Sequence, residues 1–167
     1  MNIIVAVDEK WGIGKNNDLL FHIPEDMKFF RSMTVGKNVV CGKNTLLSFP
    51  GGNPLPDRKH FVLTHGTLEE TEQLVAVESV DKLLDLISDI PEDDVLIIGG
   101  ESVYRQLLPF CKKAYVTKIF ETDAEATVFF PNLDEHDCFV LTDCGERVVS
   151  KKGLEFAFQV YTNKKYI

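Results

Sequence analysis

The sequence has no apolar run of membrane-spanning length, no internal repeat, no low-complexity tract and no C-x-x-C cysteine pair. Its opening, MNIIVAVDEK, is too short an apolar run for a signal peptide and is broken by Asp8, and no later run approaches the ~20 residues a membrane helix needs. The four cysteines, Cys41, Cys111, Cys138 and Cys144, stand mostly among strand-like apolar neighbours, which predicts reduced, buried thiols rather than disulfides. Basic residues are scarce: 18 Lys and Arg face 26 Asp and Glu, for a net charge of -8 and a pI near 5.0. That sign disfavours sequence-independent nucleic-acid binding and obliges any anionic ligand to find a local basic patch. These absences predict a cytoplasmic protein with no membrane partner, no nucleic-acid partner and no metal.

What is present suffices for a core. The 167 residues, 44% hydrophobic, suit one domain over residues 1–167 that needs no covalent staple. Residues 2–8 (NIIVAVD) form a short β-branched run, as in a strand buried on both faces. Further strands are expected at 37–42, 59–64, 73–77 and 95–98, then at 114–121, 139–143 and 155–163. Helices are expected at about 24–33 and 44–49, at 79–87 with Ser79 as N-cap, and on the pattern Val103, Tyr104, Leu107, Leu108. The order predicts a single α/β domain: a central mixed, mostly parallel sheet of about eight strands, about four flanking helices, and an antiparallel C-terminal strand.

One stretch is chemically distinctive: WGIGKNNDLLFHIPEDMKFFRSMT, residues 11–34. Gly12, Gly14, Asn16 and Asn17 tolerate positive φ, so residues 9–23 are expected to form a mobile lid that carries the only tryptophan, Trp11. Gly12-Ile13-Gly14 is no dinucleotide fingerprint, because Asn17 takes the third glycine's place and no helix starts there. Pro24 suits a first helical position, which puts Asp26 in the first turn near Met27, Phe30 and Met33. Two readings of Asp26 follow from the local pattern: a complement to the helix dipole, or a carboxylate presented to an apolar pocket.

Three junctions fall at the carboxyl ends of expected strands, where ligands gather in such sheets. Gly42-Lys43-Asn44-Thr45 offers backbone N–H groups, a cation and a hydroxyl to a phosphate, though its spacing is not that of a Walker A loop. Gly99-Gly100-Glu101-Ser102 has two successive residues without a Cβ, which allows either close approach of a ligand or a tight turn. Thr64-His65-Gly66 ends the third strand.

Taken in order, Gly12-Ile13-Gly14, Leu19-Leu20-Phe21, Pro24-Glu25-Asp26 and residues 30–34, with residues 42–48, 55–64, 97–108 and 115–119, resemble dihydrofolate reductase over nearly the whole chain. The resemblance implies a cytoplasmic, monomeric, NADPH-dependent oxidoreductase that converts 7,8-dihydrofolate to 5,6,7,8-tetrahydrofolate for one-carbon and thymidylate metabolism. It also implies a target of antifolate inhibitors. Hydride passes from the nicotinamide to pterin C6 while N5 gains a proton. The family's pterin-binding aspartate matches Asp26, with Thr117 as its hydrogen-bonding companion. Pocket positions match Val5, Ala6, Met27, Phe30, Phe49, Leu55, Ile98 and Tyr104. Arg58, in an exposed turn beside Pro56 and assisted by Arg31, matches the anchor for the substrate's glutamate carboxylate, for which a planar guanidinium fork is suited.

Cofactor positions implied by the same resemblance are Ala6, Ile13, Gly14 and Leu19; Gly42, Lys43, Asn44 and Thr45; Leu63, Thr64 and His65; and Ile98, Gly99, Gly100, Glu101, Ser102, Val103 and Tyr104. Thr64 and His65 match the site of the 2'-phosphate. Two departures stand out: Leu20-Phe21 where the family commonly has Pro-Trp, and Thr127-Val128 where many relatives have Asp-Thr. Phe21 fills the indole's space without its N–H donor. Burial raises the pKa of a carboxylate at Asp26 while a helix start and hydrogen bonds lower it, and the sequence leaves the balance open. Two rival readings are a related NADPH-dependent pterin or pyrimidine reductase and a nucleotide-binding module without catalysis.

Overall fold

Uninterrupted β-branched runs become inner strands because both of their faces are covered. The structure, a computed structural model, describes Met1–Ile167. In chain order its elements are β1 (Asn2–Val7), β2 (Gly12–Lys15), β3 (Asp18–Leu19), α1 (Pro24–Thr34), β4 (Asn38–Gly42), α2 (Lys43–Ser48), β5 (Lys59–Leu63), β6 (Leu74–Val77), α3 (Val80–Ile87) and β7 (Val95–Gly99). There follow α4 (Glu101–Leu107), β8 (Lys113–Ile119), β9 (Val128–Phe129), β10 (Phe139–Cys144), β11 (Val148–Val149) and β12 (Glu155–Asn163).

The main sheet runs β10-β12-β8-β1-β7-β4-β5-β6, with β11 added to β12. Pairings from β8 across to β6 are parallel, and β12 lies antiparallel between β8 and β10. This is the expected mixed sheet with four helices, strands matching to within one or two residues at most ends. Ile3, Val7, Val40 and Ile97 are fully buried in its largest cluster, each side chain stabilising the fold by roughly 1.5–3 kcal/mol through burial. On α3, Leu83 and Ile87 face inward, and Ser79 Oγ accepts from Lys82 N at 3.2 Å, a cap of the expected kind worth about 1 kcal/mol. No helix is long and apolar enough to cross a membrane.

Residues 9–23 are more ordered than the sequence indicates. The segment expected to form a mobile lid contains a hairpin, β2–β3, with Lys15 opposite Asp18 and Asn16-Asn17 as its two-residue turn, both at positive φ (50° and 57°). A two-residue hairpin turn needs positive φ at both positions, and asparagine adopts it readily. β2 also pairs with β9, and Lys15 Nζ reaches Asp123 Oδ2 at 2.6 Å, so the hairpin is fastened to the 121–129 segment. Its base is held by the buried Asp8, whose Oδ1 accepts from Gly12 N and Lys10 N and whose Oδ2 accepts from Asp123 N.

Trp11, expected within the lid, is anchored in the core instead. It is 4% exposed and packs in the core, stacked on Phe130 at 6.2 Å and edge-on to Tyr161 at 5.7 Å, with Lys118 Nζ 4.3 Å above its ring. Aromatic surface and a cation–π contact outweigh its position in a glycine-rich loop.

The thiols divide in two. Cys41 and Cys111 are buried as expected, and burial pushes both thiols up to about 12. Cys138 and Cys144 are exposed, the first just before and the second at the end of the edge strand β10, which has a bulge between Leu141 and Asp143. Titration of the native protein with an aromatic disulfide reagent should therefore modify two thiols rapidly, and the other two only after denaturant is added. Four fast thiols would contradict the packing around Cys41 and Cys111.

Candidate active site

Helix α1 begins at Pro24 with Glu25 and Asp26 in its first turn, where carboxylates complement the dipole. Asp26 does more than that. Thr117 Oγ1, from the buried middle of β8, donates to Asp26 Oδ1 at 2.6 Å across 91 positions of sequence. Of the effects on this half-buried carboxyl, burial is the largest and raises its pKa above the ordinary range, while the Thr117 bond opposes it. Its neighbour Glu25 turns away and accepts from Lys151 N at 3.1 Å, tying the start of α1 to the β11–β12 turn.

The wall beside Asp26 is aromatic. Register sets Ala6 of β1 and Phe158 of β12 on either side of Thr117, and Phe158 meets Phe29 of α1 at 4.5 Å. Phe21 packs in the same cluster, with Ala6 and Phe158. Phe30 and Met33 pack on Ile4, Val39 and Leu96, while Met27 is left 54% exposed on the open side of the helix. Sequence reasoning missed Phe29 and Phe158. The i+3 spacing of Phe29 from Asp26 was the available signal, and nothing in sequence marked Phe158.

From this wall a continuous cleft crosses the carboxyl ends of the parallel strands. Its inner part, about 180 Å³, is lined by Val5, Ala6, Ile13, Gly14, Leu19, Ile98, Gly99 and Tyr104 among others. Its outer part, about 510 Å³, is lined by Gly42, Lys43, Asn44, Leu63, His65, Glu101, Ser102 and Val103 among others. Asn17, Thr45, Gly100 and Val128 line both parts. Every residue that sequence reasoning assigned to the cofactor therefore lines this cleft. Asn17, Glu78, Ser79, Gln106 and Val128, not anticipated, line it too.

Two glycine contacts show why the cleft floor has no side chains. Gly99 has φ +126° and lies against the Tyr104 ring, and a Cβ on Gly100 would come 3.3 Å from Thr45 Oγ1. The peptide between them is cis. Tyr104 OH donates to Ile4 O at 2.9 Å, and burial, with the Asp26 charge second, raises the phenol's pKa.

Arg58 corrects a further expectation. It is not exposed but 7% accessible: Nε donates to Pro56 O at 2.8 Å and Nη1 to Thr34 Oγ1 at 3.1 Å. Thr34 Oγ1 donates in turn to Phe30 O, which fixes the guanidinium to the end of α1. Burial, then the charge of nearby Arg31, lowers its pKa, and no carboxylate pairs with it within 4.0 Å. A held fork with Nη2 unspent and a second arginine beside it suits an incoming carboxylate.

Comparison with known proteins bears on family and fold. A family model described as "Dihydrofolate reductase" matches residues 1–163. The chain is 32% identical over 164 residues to the dihydrofolate reductase of Bacillus subtilis, covering 98% of this chain and 95% of that protein. It is 34% identical over 181 residues to that of Sus scrofa, covering 96% of each. A solved structure, "Dihydrofolate reductase from Enterococcus faecalis complexed with NADP(H) and RAB-propyl", aligns over 97% of this chain and 95% of its own with TM-score 0.81 and 32% identity.

Proposed function

Because the chain belongs to the dihydrofolate reductase family and reduces dihydrofolate with NADPH, we propose that Asp26 is the group that binds the pterin and promotes its protonation at N5. The observation that carries this role is the half-buried Asp26–Thr117 pair at 2.6 Å, one strand from Ala6 on the cleft floor.

The cleft fits the cofactor. Lys43 supplies positive charge; His65 supplies ring nitrogens for hydrogen bonding; Thr45, Thr64 and Ser102 supply hydroxyls; and a Cβ at Gly42 or Gly100 would crowd Val103 or Thr45 at 3.3 Å, so the backbone there stays bare toward the cleft. Thr64 and His65 are assigned to the 2'-phosphate, which favours NADPH over NADH. When bound, NADPH supplies the hydride received by pterin C6. The protein contributes positioning and electrostatics.

Asp26 accepts from the amino-pyrimidine edge of the pterin, with Thr117 holding one carboxylate oxygen. Burial raises its pKa above the ordinary carboxylate range, which favours the protonated form, and that proton reaches N5 through water. Phe21 and Leu20 stand where relatives present Pro-Trp, so no indole N–H orients the water and Asp26 with Thr117 must do so. Val5, Ala6, Met27, Phe30, Phe49, Leu55, Ile98 and Tyr104 surround the substrate, and Arg58 with Arg31 takes its glutamate carboxylate. The same reading includes a monomer working in the cytoplasm, free of nucleic acid as a net charge of -8 favours, and inhibited by diaminopyrimidine antifolates held on Asp26.

The test is loss of NADPH absorbance on adding dihydrofolate, with NADH in parallel. Rapid loss with NADPH and slow loss with NADH is expected. NADPH binding without turnover would move the protein to a related reductase or a non-catalytic module.

A further inference from the structure

We propose that His60 is a positioning residue for the substrate's carboxylate tail, locking the Leu55–Arg58 turn from beneath through both of its ring nitrogens. The inference rests on the reading of Arg58 as the tail anchor and adds what holds that anchor in place.

His60 is on β5 and 0% exposed. Its Nε2 lies 3.1 Å from Leu55 N, which can only donate, so Nε2 is the acceptor. A neutral imidazole then carries its proton on Nδ1, which lies 3.1 Å from Arg58 O and donates to it. One ring thus closes the turn at its first and last residues. Burial lowers the pKa of the imidazole, with the Arg58 charge a lesser contributor, which keeps the ring in the neutral form that this pattern requires.

Inside this clamp the turn has few other ties, and no other tie reaches the Leu55 N–H. Asp57 has φ 61°, unusual for a non-glycine residue, and the turn's other ties are Arg58 Nε to Pro56 O, Arg58 Nη1 to Thr34 Oγ1 and Gly36 N to Asp57 O at 2.8 Å. Phe49, assigned to the substrate pocket, meets the same imidazole edge-on at 6.0 Å. His60 therefore contacts three residues of the substrate side, Phe49, Leu55 and Arg58, while its own side chain is sealed from the cleft. Releasing the ring frees the Leu55 N–H and the Arg58 carbonyl, and leaves the guanidinium's aim to its bonds with Pro56 O and Thr34 Oγ1 alone.

The experiment compares steady-state kinetics on dihydrofolate and on 7,8-dihydropterin, which lacks the glutamate tail, for wild type, His60→Leu, His60→Gln, Arg58→Ala and the His60→Leu/Arg58→Ala double variant. His60→Leu should raise KM for dihydrofolate about tenfold, the factor expected for one to two hydrogen bonds. Its kcat, its KM for NADPH and its KM for dihydropterin should stay within about twofold of wild type. His60→Gln, whose amide oxygen can stand in for Nε2, should recover most of the loss, and it carries the test if the leucine variant does not fold. On the Arg58→Ala background His60→Leu should add nothing, because the anchor it aims is gone.

Equal loss on both substrates, or a full further loss on Arg58→Ala, would show that His60 only supports the fold and would overturn the proposal. A silent His60→Leu beside a strong Arg58→Ala would refute His60 alone. An Arg58→Ala enzyme that still favours the tailed substrate as wild type does would refute the anchor, and the proposal with it.

Discussion

Asp26→Asn is expected to bind NADPH like wild type and to lose about a hundredfold or more of its turnover at neutral pH. The amide keeps the shape and still accepts from Thr117, so fold and cleft are undisturbed. What goes is the proton: a positioned acid contributes roughly 10²–10⁴-fold, and an amide has none to give. In the wild type, activity should fall as pH rises through the raised pKa of Asp26, because the protonated fraction declines. In the variant that dependence should vanish. Equal turnover in the two proteins, or the same pH profile, would remove Asp26 from the mechanism.

The same substitution should have the opposite effect on stability. Burial raises the folded pKa of Asp26 above its unfolded value, so the folded chain bears a penalty for the charged form that is present above the folded pKa. Below the unfolded value, about 4, both states are protonated and the penalty is absent. Asp26→Asn should therefore melt higher than wild type at neutral pH, with the gap closing as pH falls from the raised folded pKa toward about 4 and absent below it. A variant less stable at neutral pH would mean that the Thr117 bond outweighs burial.

Arg58→Ala is the second large effect. A fixed guanidinium that meets a carboxylate makes charge-assisted bonds of about 1.5–3 kcal/mol each, so KM for dihydrofolate should rise about thirtyfold or more with kcat little changed. A pterin without the glutamate tail should show almost no difference. Because Arg58 also ties to Thr34 and Pro56, some loss of stability should accompany the change. Equal losses on both substrates would reject the tail-anchor role.

Much of this was legible in the chain. Residues 2–7, 95–99 and 155–163 announce themselves as strands, since β-branched and aromatic residues cluster there and burial on the sheet rewards them. Ser79 before an amphipathic run predicts its own cap. The glycine junctions at Gly42 and Gly99-Gly100 and the hydroxyls near them are local signals, and they do line the cleft. Asn16-Asn17 could have been read as a hairpin turn, but short strands without apolar alternation carry little periodicity.

Other features have no local signature. Trp11 is buried because Phe130 and Tyr161, more than a hundred positions away, cover it. Cys144 is exposed because β10 lies at the edge of the sheet, and strand order is set by the whole chain. Arg58 looks like an ordinary turn arginine until Thr34 is seen beneath it, and His60 like a polar residue in a strand until Leu55 and Arg58 close on its ring.

By itself, then, the sequence determined which segments become the long strands of the main sheet and the four helices, where the glycines open the cleft, and that Asp26 stands in the first turn of α1 near its apolar side. These follow from backbone sterics and from apolar periodicity, which act over a few residues. Only the tertiary structure decided that β8 carries Thr117 to within 2.6 Å of Asp26 and that the pocket raises that carboxyl's pKa. Desolvation and hydrogen bonding act through space, and the distance between residues 26 and 117 exists only once the sheet has formed.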